Sequence, residues 1–117
     1  AAQTADRIID VFPSYQQSQI RQQLSSVLIG IVSQRLVLKA PQGRIAAAEI
    51  LVATQAVRSL IREGKTHQLS NVIATSASDG MISLDKVLAE LVSKGEVTIE
   101  EALTWAIDPK ELKTMVY

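Results

Sequence analysis

The sequence predicts an α/β fold in which one β-hairpin is flanked by helices. Three observations support this. Apolar residues recur at helical spacing up to Ile31, two strand-like runs enclose the turn Pro41-Gln42-Gly43, and every segment after Thr54 has a helical pattern. No internal repeat or long linker divides the 117 residues. We expect a partial α/β core at 1–54, made of two helices and the hairpin, and a helical C-terminal subdomain at 55–117.

The first half contains the predicted hairpin and two helices. The first helix ends before Pro13, because a residue that precedes proline is pushed out of the α region. The second helix has a regular apolar stripe and is predicted over about 14–30. The hairpin pairs 34–39 with 44–53, and because the second strand is almost entirely apolar we expect both of its faces to be covered.

The second half is predicted to be a series of short helices. Thr54 is suited to cap the first of these helices, and Gly64 can adopt the left-handed conformation at its end. A second short helix is expected at 67–74, and a longer amphipathic helix ends at Gly95. Capping boxes predict two further helix starts, at Thr98 with Glu101 and at Asp108 with Glu111.

Composition disfavours several classes of function. Twelve basic and twelve acidic residues cancel, and the basic residues are scattered, which is not the charge distribution of a nucleic-acid-binding protein. No apolar run approaches the roughly 20 residues of a transmembrane helix. With one histidine and no cysteine, a zinc site of the usual kind is not expected.

The segment 56–65 combines an apolar stripe with a pair of like charges. On a helix, Val57, Leu60 and Ile61 lie on one face, while Arg58 and Arg62 project together from another. Two arginines four residues apart repel each other by a few tenths of a kcal/mol. The pair therefore indicates a surface that contacts an anionic group, and the alternative is an ordinary solvated helix face.

The tripeptide Gly64-Lys65-Thr66 matches the end of a phosphate-binding loop, but its context does not. The loop requires a glycine where this chain has Ser59, and it opens a helix, whereas this tripeptide ends one. We therefore interpret the match as coincidental. For His67 we expect a local hydrogen bond at a helix start rather than a role in catalysis.

Glu49 lies within an apolar strand, where a carboxylate is costly unless it is paired. We expect a buried bridge to Arg44 or Arg35, and the alternative is a contact at an interdomain cleft.

Residues 56–65 (AVRSLIREGK) closely resemble the AIRNLIREGK motif of the twitching-motility ATPases, the PilT family of hexameric motors that retract type IV pili. Further similarity extends over 1–13, 31–34 and 43–47. The chain departs from the family pattern at five positions, which are Gln55, Val57, Ser59, Ala74 and Ile82. Assembly-type relatives carry a four-cysteine zinc site that this chain lacks, which favours the retraction branch.

The resemblance implies that the chain is the C-terminal part of a RecA-like P-loop NTPase domain, with a helical cap. It places the phosphate-binding loop and the magnesium-linked carboxylate upstream of Ala1. The parent protein would be a cytoplasmic homohexamer, peripheral to the inner membrane, that hydrolyses ATP with Mg²⁺ and acts on the pilus platform protein. The chain alone, which has no catalytic residues of its own, is then expected to be inactive.

The resemblance also implies roles for individual residues. Motion coupling is assigned to the motif residues Ala56, Val57, Arg58, Leu60, Ile61, Arg62 and Glu63. Arg7 and Arg44 are the candidates for a position near the nucleotide, and for Arg7 a surface ion pair with Asp6 or Asp10 is an equal alternative. The alternative function is a non-catalytic helical protein-interaction module that uses the arginine face to hold a partner.

Overall fold

The computed structural model describes residues 1–116, which form seven α-helices and one two-stranded sheet. The helices are α1 (Ala2–Asp10), α2 (Ser14–Val27), α3 (Gln55–Arg62), α4 (Leu69–Thr75), α5 (Leu84–Ser93), α6 (Ile99–Trp105) and α7 (Pro109–Val116), and the strands are β1 (Gly30–Leu38) and β2 (Arg44–Val52). The predicted α/β class and the hairpin are confirmed.

The chain divides into two compact units, and the hairpin runs through both. Unit 1 comprises Ala1–Ser33 and Ile50–Met81, and unit 2 comprises Gln34–Glu49 and the chain from Ile82 to the end of the described residues. The boundary that the sequence predicts at 54/55 lies within unit 1. The subdivision into 1–54 and 55–117 stays a prediction.

Unit 1 is built around the apolar faces of α3 and α4. Its buried core consists of Leu51, Val57, Ile61, Leu69, Ile73 and Met81. Each such side chain contributes about 1.5–3 kcal/mol on leaving water. Helices α1 and α2 complete the unit, and α2 packs along α3.

Unit 2 is built around α5. Its buried core consists of Val37, Ala47, Leu84, Leu88, Ala89, Leu91, Val97, Ala102 and Leu112. Four of these side chains come from α5, whose spacing puts them on one side of the helix. Helix α7 packs against α5 and contributes Leu112.

Strand β2 is covered more fully on one face than on the other. Ala47, Glu49 and Leu51 are buried on one face, whereas the alternating residues of the other face are half-buried or, at Arg44 and Ala46, exposed. The prediction that both faces are covered is therefore correct for only one of them within the described chain.

Helix α2 ends earlier than its apolar pattern predicts. The helix stops at Val27 rather than near Gly30, because Leu28 is already extended with a ψ of 132°. The carbonyl of Ile29 accepts a 3.0 Å hydrogen bond from the backbone N–H of Ala53. Pairing with the end of β2 thus draws the chain out of the helix, and β1 begins before the predicted start at 34.

Most predicted helix boundaries are present. The hydroxyl of Thr98 accepts a hydrogen bond from the Glu101 N–H at 3.2 Å, and the Asp108 carboxylate accepts one from the Glu111 N–H at 3.2 Å. In a full capping box the Glu101 carboxylate would accept from the backbone N–H of Thr98. Here it accepts a 2.7 Å hydrogen bond from the backbone N–H of Leu38. The helix expected at 67–74 is divided into a 3-10 turn and α4.

Candidate functional site

Helix α3, which carries the motif, begins and ends where the local sequence dictates. The Thr54 hydroxyl accepts from the Val57 N–H at 3.4 Å. After Glu63 the chain turns through Gly64, whose φ is +74°. The Gly64 N–H donates to the Ile61 carbonyl at 3.1 Å, and the Lys65 N–H donates to the Leu60 carbonyl at 2.8 Å. This is the Schellman arrangement, which requires a left-handed residue at the position of the glycine.

The apolar stripe of α3 is structural. Val57 and Ile61 are fully buried in the unit 1 core, and Leu60 is half-buried beside it. Ala56 lies exposed on another side of the helix. The three apolar motif residues therefore anchor α3 and leave contact with another molecule to the remaining residues.

Arg58 is directed into the seam between α3 and α2. Its Nη1 donates to the backbone carbonyl of Ser25 at 2.5 Å, and the Arg58 side chain is half-buried. This carbonyl lies in the last turn of α2, where carbonyl groups lack intrahelical donors and carry partial negative charge. The Arg58 guanidinium supplies the missing hydrogen-bond donor, and its positive charge offsets the partial negative charge of the helix end.

Arg62 and Glu63 lie at the solvent-exposed end of α3. The Glu63 carboxylate is 3.3 Å from the Lys65 ammonium, in a pair whose side chains are both about half exposed. Such pairs contribute about 0–1 kcal/mol. Arg58 and Arg62 are four residues apart and are predicted to project together. In the structure, however, Arg58 contacts α2 and Arg62 is exposed to solvent.

Arg7 and Arg44 lie on different elements. Arg7 is exposed in the last turn of α1, in unit 1, and Arg44 is exposed at the first position of β2, in unit 2. The Asp6 carboxylate, one of the predicted ion-pair partners of Arg7, is bonded to the Thr66 hydroxyl at 2.6 Å.

Glu49 is buried, as predicted, and its identified partner is a helix N-terminus. Its carboxylate accepts a 3.2 Å hydrogen bond from the backbone N–H of Leu84, the first residue of α5. An anion is stabilised at this end of a helix by the unpaired N–H groups and the helix dipole. The sequence could not show that the start of α5 lies beside this strand, and the bridge to Arg44 or Arg35 stays a prediction.

The sequence pattern does not single out Asp85. This residue is buried on α5, and its two carboxylate oxygens accept from the backbone N–H groups of Ile107 at 2.8 Å and Asp108 at 2.9 Å. The two donors lie just before α7. A carboxylate at a helical core position was the one available clue, since such a group needs partners.

Among residues 1–116, no three metal-ligating side chains come together, and no helix is long and apolar enough to cross a membrane.

No protein-family model matches the sequence, but individual relatives do. The type IV pilus retraction ATPase PilT of Pseudomonas aeruginosa is 45% identical over 102 residues, which are 87% of this chain. A twitching motility protein of Neisseria gonorrhoeae is 44% identical over 104 residues. A crystal structure of the pilus retraction motor PilT with bound ADP matches 97% of this chain with a TM-score of 0.82 and 39% identity. The chain belongs to the PilT family.

The family match also covers the related ATPase PilU of Pseudomonas aeruginosa, which is 37% identical over 117 residues. The ATPase DotB of Legionella pneumophila matches 89% of the chain at 16% identity with a TM-score of 0.68, which shows a shared fold alone. These matches confirm the predicted relationship to the RecA-like secretion ATPases. The chain spans about 30% of the length of the PilT family relatives that it matches.

Within the PilT family segment, Gly64-Lys65-Thr66 is not a phosphate-binding loop. Gly64 ends α3, the Lys65 side chain pairs with Glu63, and the Thr66 hydroxyl is bonded to Asp6. A phosphate-binding loop would instead open a helix with its backbone N–H groups turned toward the phosphates. The interpretation of this tripeptide as a coincidental match is supported by the geometry of all three residues.

Proposed function

We propose that the full-length protein is a motor ATPase that powers type IV pilus retraction, and that this chain is its motion-coupling part. The observation that carries the proposal is the match of 97% of the chain to the pilus retraction motor, at a TM-score of 0.82. The geometry of α3 supports the coupling role, because the motif buries Val57 and Ile61 and exposes Arg62 and Glu63.

In this proposal, ATP and Mg²⁺ bind to the part of the protein outside this chain. Arg7 and Arg44 are exposed, and they approach the nucleotide when domains or subunits close. Arginines brought to the phosphates in this way stabilise the charge that develops during phosphoryl transfer. Alanine at either position should lower the rate of ATP hydrolysis by the full-length protein without lowering its melting temperature.

The proposed assembly is a homohexamer in the cytoplasm, peripheral to the inner membrane, that acts on the pilus platform protein. Strand β1 supports a further layer in the parent, since Val32, Leu36 and Leu38 on one of its faces are 68%, 54% and 59% exposed. Several apolar residues on one strand face normally pack against another layer. We propose that the rest of the motor domain covers this face.

The proposal is tested by comparing the full-length protein with residues 1–117, each checked for folding by circular dichroism. The full-length protein should hydrolyse ATP and restore twitching to a strain that lacks its retraction motor. The isolated segment should not hydrolyse ATP, because it has no phosphate-binding loop to position the γ-phosphate. A full-length protein without a Gly-x-x-x-x-Gly-Lys-Ser/Thr element and without ATP hydrolysis would instead be a non-catalytic interaction module.

A further inference from the structure

The two arginines of α3 have different surroundings, and we infer that they have different functions. Arg58 is a positioning residue that ties α2 to α3 within one subunit, and Arg62 is the arginine that meets an acidic group of a neighbouring protein. The inference rests on the proposed coupling function of α3. It assigns separate functions to Arg58 and Arg62, which the motif presents as a pair.

The position of Arg58 leaves its guanidinium committed to an internal contact. The Nη1 of Arg58 is 2.5 Å from the Ser25 carbonyl oxygen. Ser25 itself is fully buried, and its own hydroxyl donates to the Gln22 carbonyl at 2.8 Å. A small residue at this point allows the arginine to reach the backbone of α2, where the partially negative end of the helix stabilises its charge.

The contact lies where several segments of unit 1 meet. Three residues after Ser25 the chain leaves α2, and Ile29 then accepts a hydrogen bond from Ala53, one residue before the cap of α3. In the same interface between α2 and α3, the Arg21 side chain of α2 lies over Gly64 at the other end of α3. A Cβ added to Gly64 would be 3.4 Å from Nε of Arg21. The end of α2 and the start of α3 are thus joined through both the sheet and Arg58.

Arg58 therefore provides a direct link through which a displacement of the last turn of α2 reaches α3, beside the connection through the sheet. Without Arg58, the last turn of α2 would lose the donor that fixes it against α3, although the buried stripe of Val57 and Ile61 would remain in the core. Such a variant keeps its fold but loses the direct hydrogen bond between α3 and the last turn of α2. This is the behaviour expected of a positioning residue in a coupling path.

Arg62 has the opposite environment. It is exposed in the final turn of α3, next to the exposed Glu63 and Lys65. Its planar, always charged guanidinium is suited to bind a carboxylate with two parallel hydrogen bonds. An acidic side chain on the neighbouring protein is the partner that this chemistry fits.

The experiment uses the full-length protein with Arg58→Ala, Arg58→Lys, Arg62→Ala and Arg62→Lys. Amide hydrogen exchange is followed over residues 22–30, ATP hydrolysis is measured per folded molecule, and pilus retraction is measured in cells. Arg58→Ala should speed exchange at the end of α2 on the order of 5- to 30-fold, the factor that loss of one internal hydrogen bond produces in an opening equilibrium. Arg62→Ala should leave this exchange unchanged.

Both alanine variants should retain at least half of the ATP hydrolysis and lose most retraction. Arg58→Lys should restore slow exchange, because an ammonium can also donate to the Ser25 carbonyl. It should thereby recover retraction. Arg62→Lys, in contrast, should leave exchange unchanged and should not recover full retraction, because an ammonium cannot form two parallel hydrogen bonds with a carboxylate.

Two outcomes would overturn the inference. Unchanged exchange in Arg58→Ala would show that the contact does not hold α2, and normal retraction per ATP hydrolysed in this variant would show that Arg58 serves stability alone. Failure of the proposed function is distinguishable, because it would appear as absent ATP hydrolysis or retraction in the unmutated protein. The exchange measurements do not depend on either activity.

Discussion

Thr66 Oγ1 donates a 2.6 Å hydrogen bond to Oδ1 of Asp6, and this contact joins the segment after α3 to α1. Thr66 is buried, whereas Asp6 is exposed, so the hydroxyl has a carboxylate partner that remains accessible to water. The residue that completes the phosphate-loop-like tripeptide is therefore part of the scaffold of unit 1.

Replacing Thr66 with valine should destabilise the protein while preserving the shape of the side chain. A hydrogen bond to a charged group contributes about 1.5–3 kcal/mol, and the loss should appear in the free energy of unfolding by urea. Thr75→Val is the matched control, because this hydroxyl is exposed and bonds only to carbonyls of its own helix. Equal losses at the two positions would show that the contact with Asp6 contributes nothing specific.

Lys65→Ala should change neither stability nor catalysis appreciably. The ion pair with Glu63 is about half exposed, and such pairs contribute about 0–1 kcal/mol. Because Lys65 is not the lysine of a phosphate-binding loop, ATP hydrolysis by the full-length protein should remain within about twofold of the unmutated rate, a difference of roughly 0.4 kcal/mol in the barrier. A loss of hydrolysis by several orders of magnitude would restore the phosphate-loop interpretation.

Gly64→Ala should destabilise α3 through backbone conformation. A left-handed residue with a Cβ costs about 1–2 kcal/mol, and Gly64 has a φ of +74°. Gly64→Asn should cost less, because asparagine tolerates this conformation. Gly95 ends α5 in the same Schellman arrangement with the same φ, and it provides a second site for the comparison. The melting temperature is measured for alanine and asparagine at both glycine positions. If alanine lowers it no more than asparagine does, backbone strain is not the cause of the loss.

Gly30→Ala should be destabilising for a different reason. The φ of Gly30 is not positive, but a Cβ at this position would lie 2.9 Å from the Leu51 carbonyl oxygen. Relieving this overlap requires movement of the backbone, and overpacking of this kind costs about 1–3 kcal/mol. Gly43→Ala is a contrasting control with a left-handed φ and no atom within 4 Å of the added Cβ. A D-alanine at Gly43 should restore stability, because a positive φ suits a residue of inverted configuration.

Asp85→Asn should lower the stability of the contact between α5 and the start of α7. An asparagine amide has one oxygen where the carboxylate has two, so one of the N–H groups of Ile107 and Asp108 loses its acceptor. We expect a loss of about 1–3 kcal/mol in the free energy of unfolding. Asp79→Asn, at an exposed position, should have an effect within about 0.5 kcal/mol. Hydrogen exchange that increases around residues 107–112 and not elsewhere would locate the effect.

Sequence and structure agree wherever the determining interactions are local. Thr54, Gly64 and Thr98 act within a few residues of their own positions, so their cap and turn roles could be predicted from neighbours in the chain. The same holds for the apolar stripe of α3 and for the rejection of Gly64-Lys65-Thr66 as a phosphate-binding loop. The end of α2 could not be predicted, because pairing of Ile29 with Ala53 overrides the helical pattern.

Sequence pattern alone predicts the α/β class, the hairpin, the family resemblance and the helix that carries the motif, since each depends on periodicity or on residues close together in the chain. Which charged groups form internal hydrogen bonds depends instead on the tertiary structure. Arg58 bonds to Ser25, Glu49 to Leu84 and Asp85 to Ile107 across 33, 35 and 22 residues respectively. A buried charge is stabilised by whichever donor or acceptor the fold brings to it, and that donor or acceptor need not be near in sequence.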